Sequence, residues 1–422
     1  MKQKDYLNSG HKGFPPGAAP CLAADVAQYG WNLFNDDLSY PMAVIRRAEL
    51  EHNLAWMQAY AKERGVFIAP HGKTTMSPQL FRRQLDAGAW GLTFATVFQV
   101  NAGLEAGARR IIIANQVVCD ADLDALQHMR TRDPDLRIWF LVDSLAQVEQ
   151  IESWAQRRKS SMAFGCLLEV GIPGQRTGCR TAEQAVELAG RIRQSGSLTL
   201  GGIECYEGGL ARCDSEQDSR QVGALMERVG RIALECDRLA LFEDEEIIVS
   251  AGGSAVFDLV VPGLKPSLSR PVAGILRSGC YVTHDHDFYS GMLRNVERRQ
   301  GLSASLLPAL EVWSMVQSVP EPGLAILSCG KRDVSYDLSL PVVTHYAPQG
   351  GRSRVLAPMG WAISALNDQH AYLKISEGSP HPEVGDRVIL GISHPCTTFD
   401  KWTWLPLIDE AGNVVSAVTT RF

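Results

Sequence analysis

An α/β chain, with a parallel (β/α)8 barrel followed by an antiparallel β domain, is what this sequence predicts. Three observations predict it. Eight short apolar runs alternate with amphipathic segments between residues 66 and 278. From about residue 300 the alternation gives way to strand-like runs broken by glycine and proline. The 422 residues are enough for two domains.

Residues 1–40 read as irregular, with Gly13-Phe-Pro-Pro-Gly17 as a loop. A helix over 47–64 leads into the first run and is expected outside or beneath the barrel. The eight runs are 66–69, 91–94, 111–114, 138–142, 166–170, 202–205, 247–250 and 273–278. Each is too short for a helix, and β-branched and aromatic residues recur in them. Helical stretches at 78–87, 97–106, 145–156, 182–194 and 218–236 lie between them. Such alternation means parallel strands joined by right-handed helical crossovers, and the barrel is expected over 41–295. The runs at 309–319, 325–328, 355–357, 372–376, 387–390 and 414–419 have little helix between them. They predict an antiparallel β domain over 296–422, joined by residues 1–40.

Composition excludes several classes. Hydrophobic residues make up 45% and charged residues 21%, as in ordinary globular proteins. A formal net charge of -6 with no basic run argues against nucleic acid or an anionic membrane as partner. No apolar stretch approaches the ~18–20 residues that cross a bilayer. The polar N-terminus lacks the apolar core of a signal peptide. Ten cysteines with no CxxC pair do not form a disulfide framework, and a cytoplasmic location is expected.

Functional residues of a barrel gather where its strands end. After the first run Pro70 stops the strand, and His71-Gly-Lys73 follows. Ser77-Pro78 then caps a helix. A lysine in a barrel mouth suits Schiff-base chemistry, since partial desolvation favours the neutral, nucleophilic amine. A solvated loop lysine is the competing reading of this stretch alone. Asn115-Gln116 follows the third run, and a Gly-rich turn from Glu169 to Gly178, containing Arg176, follows the fifth. The sixth ends in Cys205-Tyr206-Glu207-Gly-Gly. The seventh gives Ser250-Ala-Gly252-Gly253-Ser254, and the eighth Arg277-Ser-Gly279-Cys280-Tyr281. Glycines on strands seven and eight let backbone N–H groups approach a phosphate. Facing a lysine on strand one, they are the footprint of pyridoxal phosphate.

Residues 66–76, the 169–178 turn, Tyr206-Glu-Gly, Ser250-Ala-Gly-Gly-Ser and Ser278-Gly-Cys-Tyr281 resemble the fold-type III pyridoxal enzymes, whose barrel is alanine-racemase-like. Within that group the chain is similar to the D-serine dehydratase and D-threonine aldolase family, over roughly residues 41–402. His394-Pro-Cys396 resembles that family's metal motif, HxC in the dehydratases and HxD in the aldolases. On an extended segment, residues i and i+2 share a face, and imidazole with thiolate suits a divalent, borderline-soft ion such as zinc. The resemblance implies Lys73 as cofactor attachment point and base. It implies cofactor contacts from Arg176, Tyr206, Gly252, Gly253, Ser254, Gly279, Cys280 and Tyr281, with Arg176 facing the pyridine nitrogen. The reaction implied is metal-assisted loss of water from a D-β-hydroxy amino acid, giving a 2-oxo acid and ammonia. Retro-aldol cleavage to glycine and an aldehyde is the alternative. A homodimer is implied as well.

A racemase, for which Tyr336 offers a second base, and a non-catalytic cofactor carrier both leave the HxC motif idle. Asp368-Gln-His370 matches a family segment near the metal, with Gln369 in place of the usual acid. His284-Asp-His-Asp287 alternates potential metal ligands, but a solvated turn after the eighth strand is the expected reading. Arg332 and Asp333 carry no readable role. Phe399, Trp402 and Trp404 are expected in the β-domain core rather than around a substrate.

Overall fold

The computed structural model describes residues 5–422. The eight runs form one parallel sheet: Phe67–Ile68, Leu92–Phe94, Arg110–Gln116, Arg137–Val142, Phe164–Val170, Leu198–Cys205, Ile247–Ala251 and Val272–Leu276. Neighbours pair in sequence order from the second strand to the eighth, and the eighth pairs with the first. A parallel bridge between His71 and Thr93 and a bond from Thr93 N–H to the Pro70 carbonyl close the ring. Ala69, Ile112, Trp139, Leu141, Leu167, Ile248, Ala273 and Ile275 pack as one buried cluster inside it, the filled interior expected of an eight-stranded barrel.

Helices cover the outside. Ser77 caps Pro78–Asp86, with its hydroxyl accepting from Leu80 N–H at 3.5 Å and proline in the first turn. Two longer helices lie outside the sequence reading. Asp120–Arg132 buries only Leu123 and Leu126, so its apolar stripe is faint. Phe288–Gln300 follows the eighth strand.

The second sheet is built from Leu310–Glu321, Leu324–Leu327, Val342–Ala347, Val355–Leu356, Trp361–Leu366, Ala371–Ile375 and Arg387–Gly391. Trp404–Ile408, Val414–Thr419 and Met42–Arg46 extend it. Met42–Arg46 runs antiparallel to Leu310–Trp313 and parallel to Leu407–Ile408. Residues 42–46, which a barrel over 41–295 would include, therefore belong to the second sheet instead. Their run MAVIR is buried on both faces, which resembles a barrel strand, and only its pairing partners tell the two apart. Trp402, Trp404 and Phe399 are fully buried, as a core role requires. No helix among the described residues is long and apolar enough to cross a membrane.

Candidate active site

A cavity of about 260 Å³ opens at the carboxyl ends of the barrel strands, with His394 and Cys396 of the β domain in its wall. It gathers Lys73, Arg176, Tyr206, Gly252, Gly253, Ser254, Gly279, Cys280, His394 and Cys396 from the sequence reading. Tyr281 is the exception. Its ring is buried and its hydroxyl accepts from the Gln84 amide at 3.3 Å.

Lys73 sits on a 3₁₀ turn, Gly72–Thr74. A side chain at Gly72 would strike the Phe94 and Phe81 rings at 2.3 and 2.9 Å, so glycine allows the turn to pack against them. The His71 ring accepts from Lys73 N–H at 3.4 Å. Burial, then the charges of Lys73, Arg277 and Arg176, drive His71 well below its usual range. It is a neutral support for the turn. The Lys73 amine has no hydrogen-bond or ion-pair partner among the described residues.

The floor is charged. Glu204, at the end of the sixth strand, pairs with Arg277 of the eighth at 2.6 Å, both buried. Burial raises Glu204 to about 8, with Arg277 opposing and Glu169 reinforcing. Neither Glu204 oxygen has a hydrogen-bond partner beyond that ion pair. Arg277 also donates to the Ser250 hydroxyl at 2.6 Å and the Cys205 carbonyl at 2.9 Å. A carboxylate inside the run Gly-Ile-Glu-Cys was the available sequence signal, because buried charges are rare unless paired or functional. The buried floor guanidinium is Arg277. Arg176 is exposed, its guanidinium carbon 4.3 Å from the Tyr206 ring centroid. The Gly-rich turn is tied down by Arg180, which donates to the carbonyls of Thr177, Gln175 and Arg176.

The two glycine loops, both expected to turn backbone N–H groups toward a phosphate, are used differently. The amides of Gly252 and Gly253 are taken by the fully buried Glu207 carboxylate, at 3.0 and 2.6 Å. The loop of Gly279 lies against the lysine turn instead. A Cβ at Gly279 would come within 2.5 Å of the His71 carbonyl and 2.7 Å of the Thr74 hydroxyl. Cys280 N–H donates to the Ser254 hydroxyl at 3.2 Å. The Cys280 amide is thereby taken as well, and the Ser254 side chain and the Gly279 loop remain at the cavity wall.

His394 and Cys396 converge differently from the sequence reading. The segment is not extended: His394 precedes the short helix Pro395–Phe399, and Cys396 lies in its first turn. Proline at the first helical position imposes that turn. Asp337 accepts from His394 Nδ1 at 2.6 Å and so orients the ring. Burial opposes charge on His394, but Cys396 and Asp337 outweigh it and hold the imidazole at about 9. A hydrogen bond from Cys280, opposed by burial and joined by His394, holds Cys396 well below the usual thiol range. Among the described residues no three His, Cys, Asp or Glu side chains gather as a complete metal site. An imidazole and a thiolate still suit a borderline-soft ion with open positions.

Other motifs stay outside the cavity. Asp368 and His370 lie on the turn between Trp361–Leu366 and Ala371–Ile375, with exposed Asp368 paired to Arg332. Asp333 is buried and accepts from Gly330 N–H and Lys12. Tyr336 is exposed. His284-Asp-His-Asp287 is no solvated turn. Asp285 is fully buried and accepts from the amides of Asp287, Tyr289 and Ser290, holding the start of Phe288–Gln300. That helix brings Tyr289 into the cavity, a residue with no sequence signal.

A lysine in the mouth of a parallel barrel, roofed by a separate β domain, defines a barrel-type pyridoxal-phosphate fold. The model described as alanine racemase, N-terminal domain matches residues 45–263, just over half of the chain, which belongs to that family. The putative serine dehydratase domain matches residues 309–408. A D-threo-3-hydroxyaspartate dehydratase of Delftia sp. (strain HT23) is 27% identical over 374 residues, 86% of this chain and 92% of that protein. The solved D-threonine aldolase of Filomicrobium marinum superposes with a TM-score of 0.75 at 22% identity, covering 91% of this chain and 95% of that one. A cysteine-to-alanine mutant of D-threo-3-hydroxyaspartate dehydratase, in the metal-free form, superposes at 0.70 with 23% identity, covering 93% and 99%.

Proposed function

We propose that this protein is a pyridoxal-phosphate-dependent lyase that removes water from a D-β-hydroxy amino acid with the help of zinc. The observation that carries this is one cavity holding an unpaired lysine from the barrel and a His–Cys pair from the β domain. The cavity fits the cofactor: Lys73 is free to take up its aldehyde, the Glu204–Arg277 pair offers a polar floor, and Ser254 and the Gly279 loop offer a phosphate corner. Bound there, the cofactor supplies an electron sink for charge developing at the substrate Cα. A zinc ion held by His394 and Cys396 supplies Lewis-acid help to a poor leaving group, the β-hydroxyl. Lys73, whose amine opens into the cavity, would remove the Cα proton. Arg176, exposed over Tyr206, binds the substrate carboxylate as a planar two-point donor. Asp337 fixes the His394 ring so that Nε2 points away from its own hydrogen bond.

The relatives' substrates, 3-hydroxyaspartate and threonine of D configuration, fit this reading as β-hydroxy amino acids. Cys396 in place of a carboxylate favours elimination over retro-aldol cleavage. The test is the product. Protein reconstituted with pyridoxal phosphate is offered D-serine, D-threonine and D-threo-3-hydroxyaspartate, with and without a chelator. Chelator-sensitive ammonia and 2-oxo acid is the expected result. Glycine with an aldehyde would make it an aldolase, and no product from any of them would overturn the reading. A homodimer and a cytoplasmic location belong to the same proposal, checked by light scattering and by fractionation.

A further inference from the structure

The Sγ atoms of Cys280 and Cys396 lie 3.6 Å apart, although 116 positions separate them in the chain. One follows the eighth barrel strand, and the other stands in the β domain. All ten cysteines are free. Among the described residues this is the one cysteine–cysteine hydrogen bond. The other buried thiols meet different partners, as Cys205 meets the Met226 sulfur and Cys166 the Thr199 carbonyl. The Thr74 hydroxyl, next to Lys73, contacts both sulfurs, at 3.4 Å to Cys396 and 3.8 Å to Cys280.

We propose that Cys280 and Cys396 are a redox-modification site, which a hydroperoxide entering the cavity closes into a disulfide between barrel and β domain. Both thiols line the cavity, so a small solute that enters it meets them. A disulfide needs a separation of about 2.05 Å, which asks the sulfurs to approach by roughly 1.5 Å. Both residues belong to short elements, the three-residue turn Cys280–Val282 and the five-residue helix Pro395–Phe399. Rotation about the two side-chain bonds and a small shift of either element supply the movement.

The chemistry balances. The Cys396 sulfur attacks the peroxide, the O–O bond breaks, an alcohol or water leaves, and Cys396 becomes a sulfenic acid. The Cys280 sulfur then attacks the Cys396 sulfur, the S–O bond breaks and water leaves. Two thiols have lost two electrons and two protons, and the peroxide has gained them. A disulfide sulfur is no longer a thiolate, so it cannot ligate zinc, and only His394 would remain of the pair. The disulfide and a metal on Cys396 therefore exclude one another.

The experiment uses the full chain, dialysed against a chelator, treated with a small excess of hydrogen peroxide and alkylated. Non-reducing peptide mapping is expected to show one linked pair carrying Cys280 and Cys396. Two thiols of the ten should be lost, and a reductant should restore both. Zinc retained after dialysis should drop to background in the oxidised protein, and zinc added first should suppress the link. In Cys280→Ser the link is absent, and Cys396 is trapped by a sulfenic-acid reagent instead. The wild-type mapping stands even where that variant fails to fold. Metal-free protein with no 280–396 link, or a link that forms equally with zinc bound, would overturn the proposal. Neither readout depends on the reaction catalysed.

Discussion

The loops after the seventh and eighth barrel strands look alike in sequence, each small and glycine-bearing, and the fold uses them differently. Gly252 and Gly253 give their amides to Glu207, a carboxylate of the same chain. The Gly279 loop instead closes on the lysine turn and ties Cys280 to Ser254. Glycine makes amides approachable, but a neighbouring strand end decides which anion arrives. The first loop is held by the Glu207 carboxylate, and the second by its contacts with the lysine turn and Ser254.

That contrast can be sharpened or broken by substitution. The largest effect is expected from Lys73→Ala, because both loops matter only in facing this amine. Turnover should fall by at least about 10³-fold, and the reconstituted protein should lack the absorbance of lysine-bound cofactor. Next comes the far end of the second loop. Burial, opposed only by a backbone bond to Asp285, drives His284 down to about 4. An unfolded histidine titrates near its ordinary 6.5, so the unfolded chain binds more protons between those values. Stability from this residue is present above pH 6.5 and lost as pH falls toward 4, by about 3 kcal/mol. Burial raises Asp285 to about 6, which offsets part of it. Urea titrations of wild type and His284→Gln across that window should show a shallower acid slope in the variant.

Glu207→Gln tests the first loop directly. An amide offers one acceptor oxygen where two N–H groups ask for two, so unfolding free energy should drop by about 2 kcal/mol. Cofactor affinity, measured by titration, should change little. A variant of unchanged stability that binds the cofactor more tightly would mean that Glu207 merely masks a phosphate loop. The smallest effect is expected at Asp337→Asn. Losing the carboxylate on His394 should weaken zinc binding by about tenfold to a hundredfold, read by equilibrium dialysis.

Much of this architecture was legible in the chain. Eight apolar runs reappear as eight parallel strands because burial on both faces leaves a continuous hydrophobic signature that needs no partner to be seen. Lys73 was legible from Pro70 and the Ser77-Pro78 cap, which bracket it in a loop by local rules alone. His394 and Cys396 were legible as a pair, though Pro395 places them on a helical turn and not on a strand.

What composition, periodicity and capping determined by themselves was the order of elements and the loops in which the chemistry stands, since these depend on near neighbours along the chain. Tertiary structure alone decided the rest. It assigned residues 42–46 to the second sheet, gave Gly252 and Gly253 to Glu207, joined Glu204 to Arg277, turned Tyr281 away and set Cys280 beside Cys396. Each of these is a pairing between groups distant in sequence or on different strands. Hydrogen bonds and ion pairs are set by distances of about 3 Å, which a one-dimensional pattern does not contain.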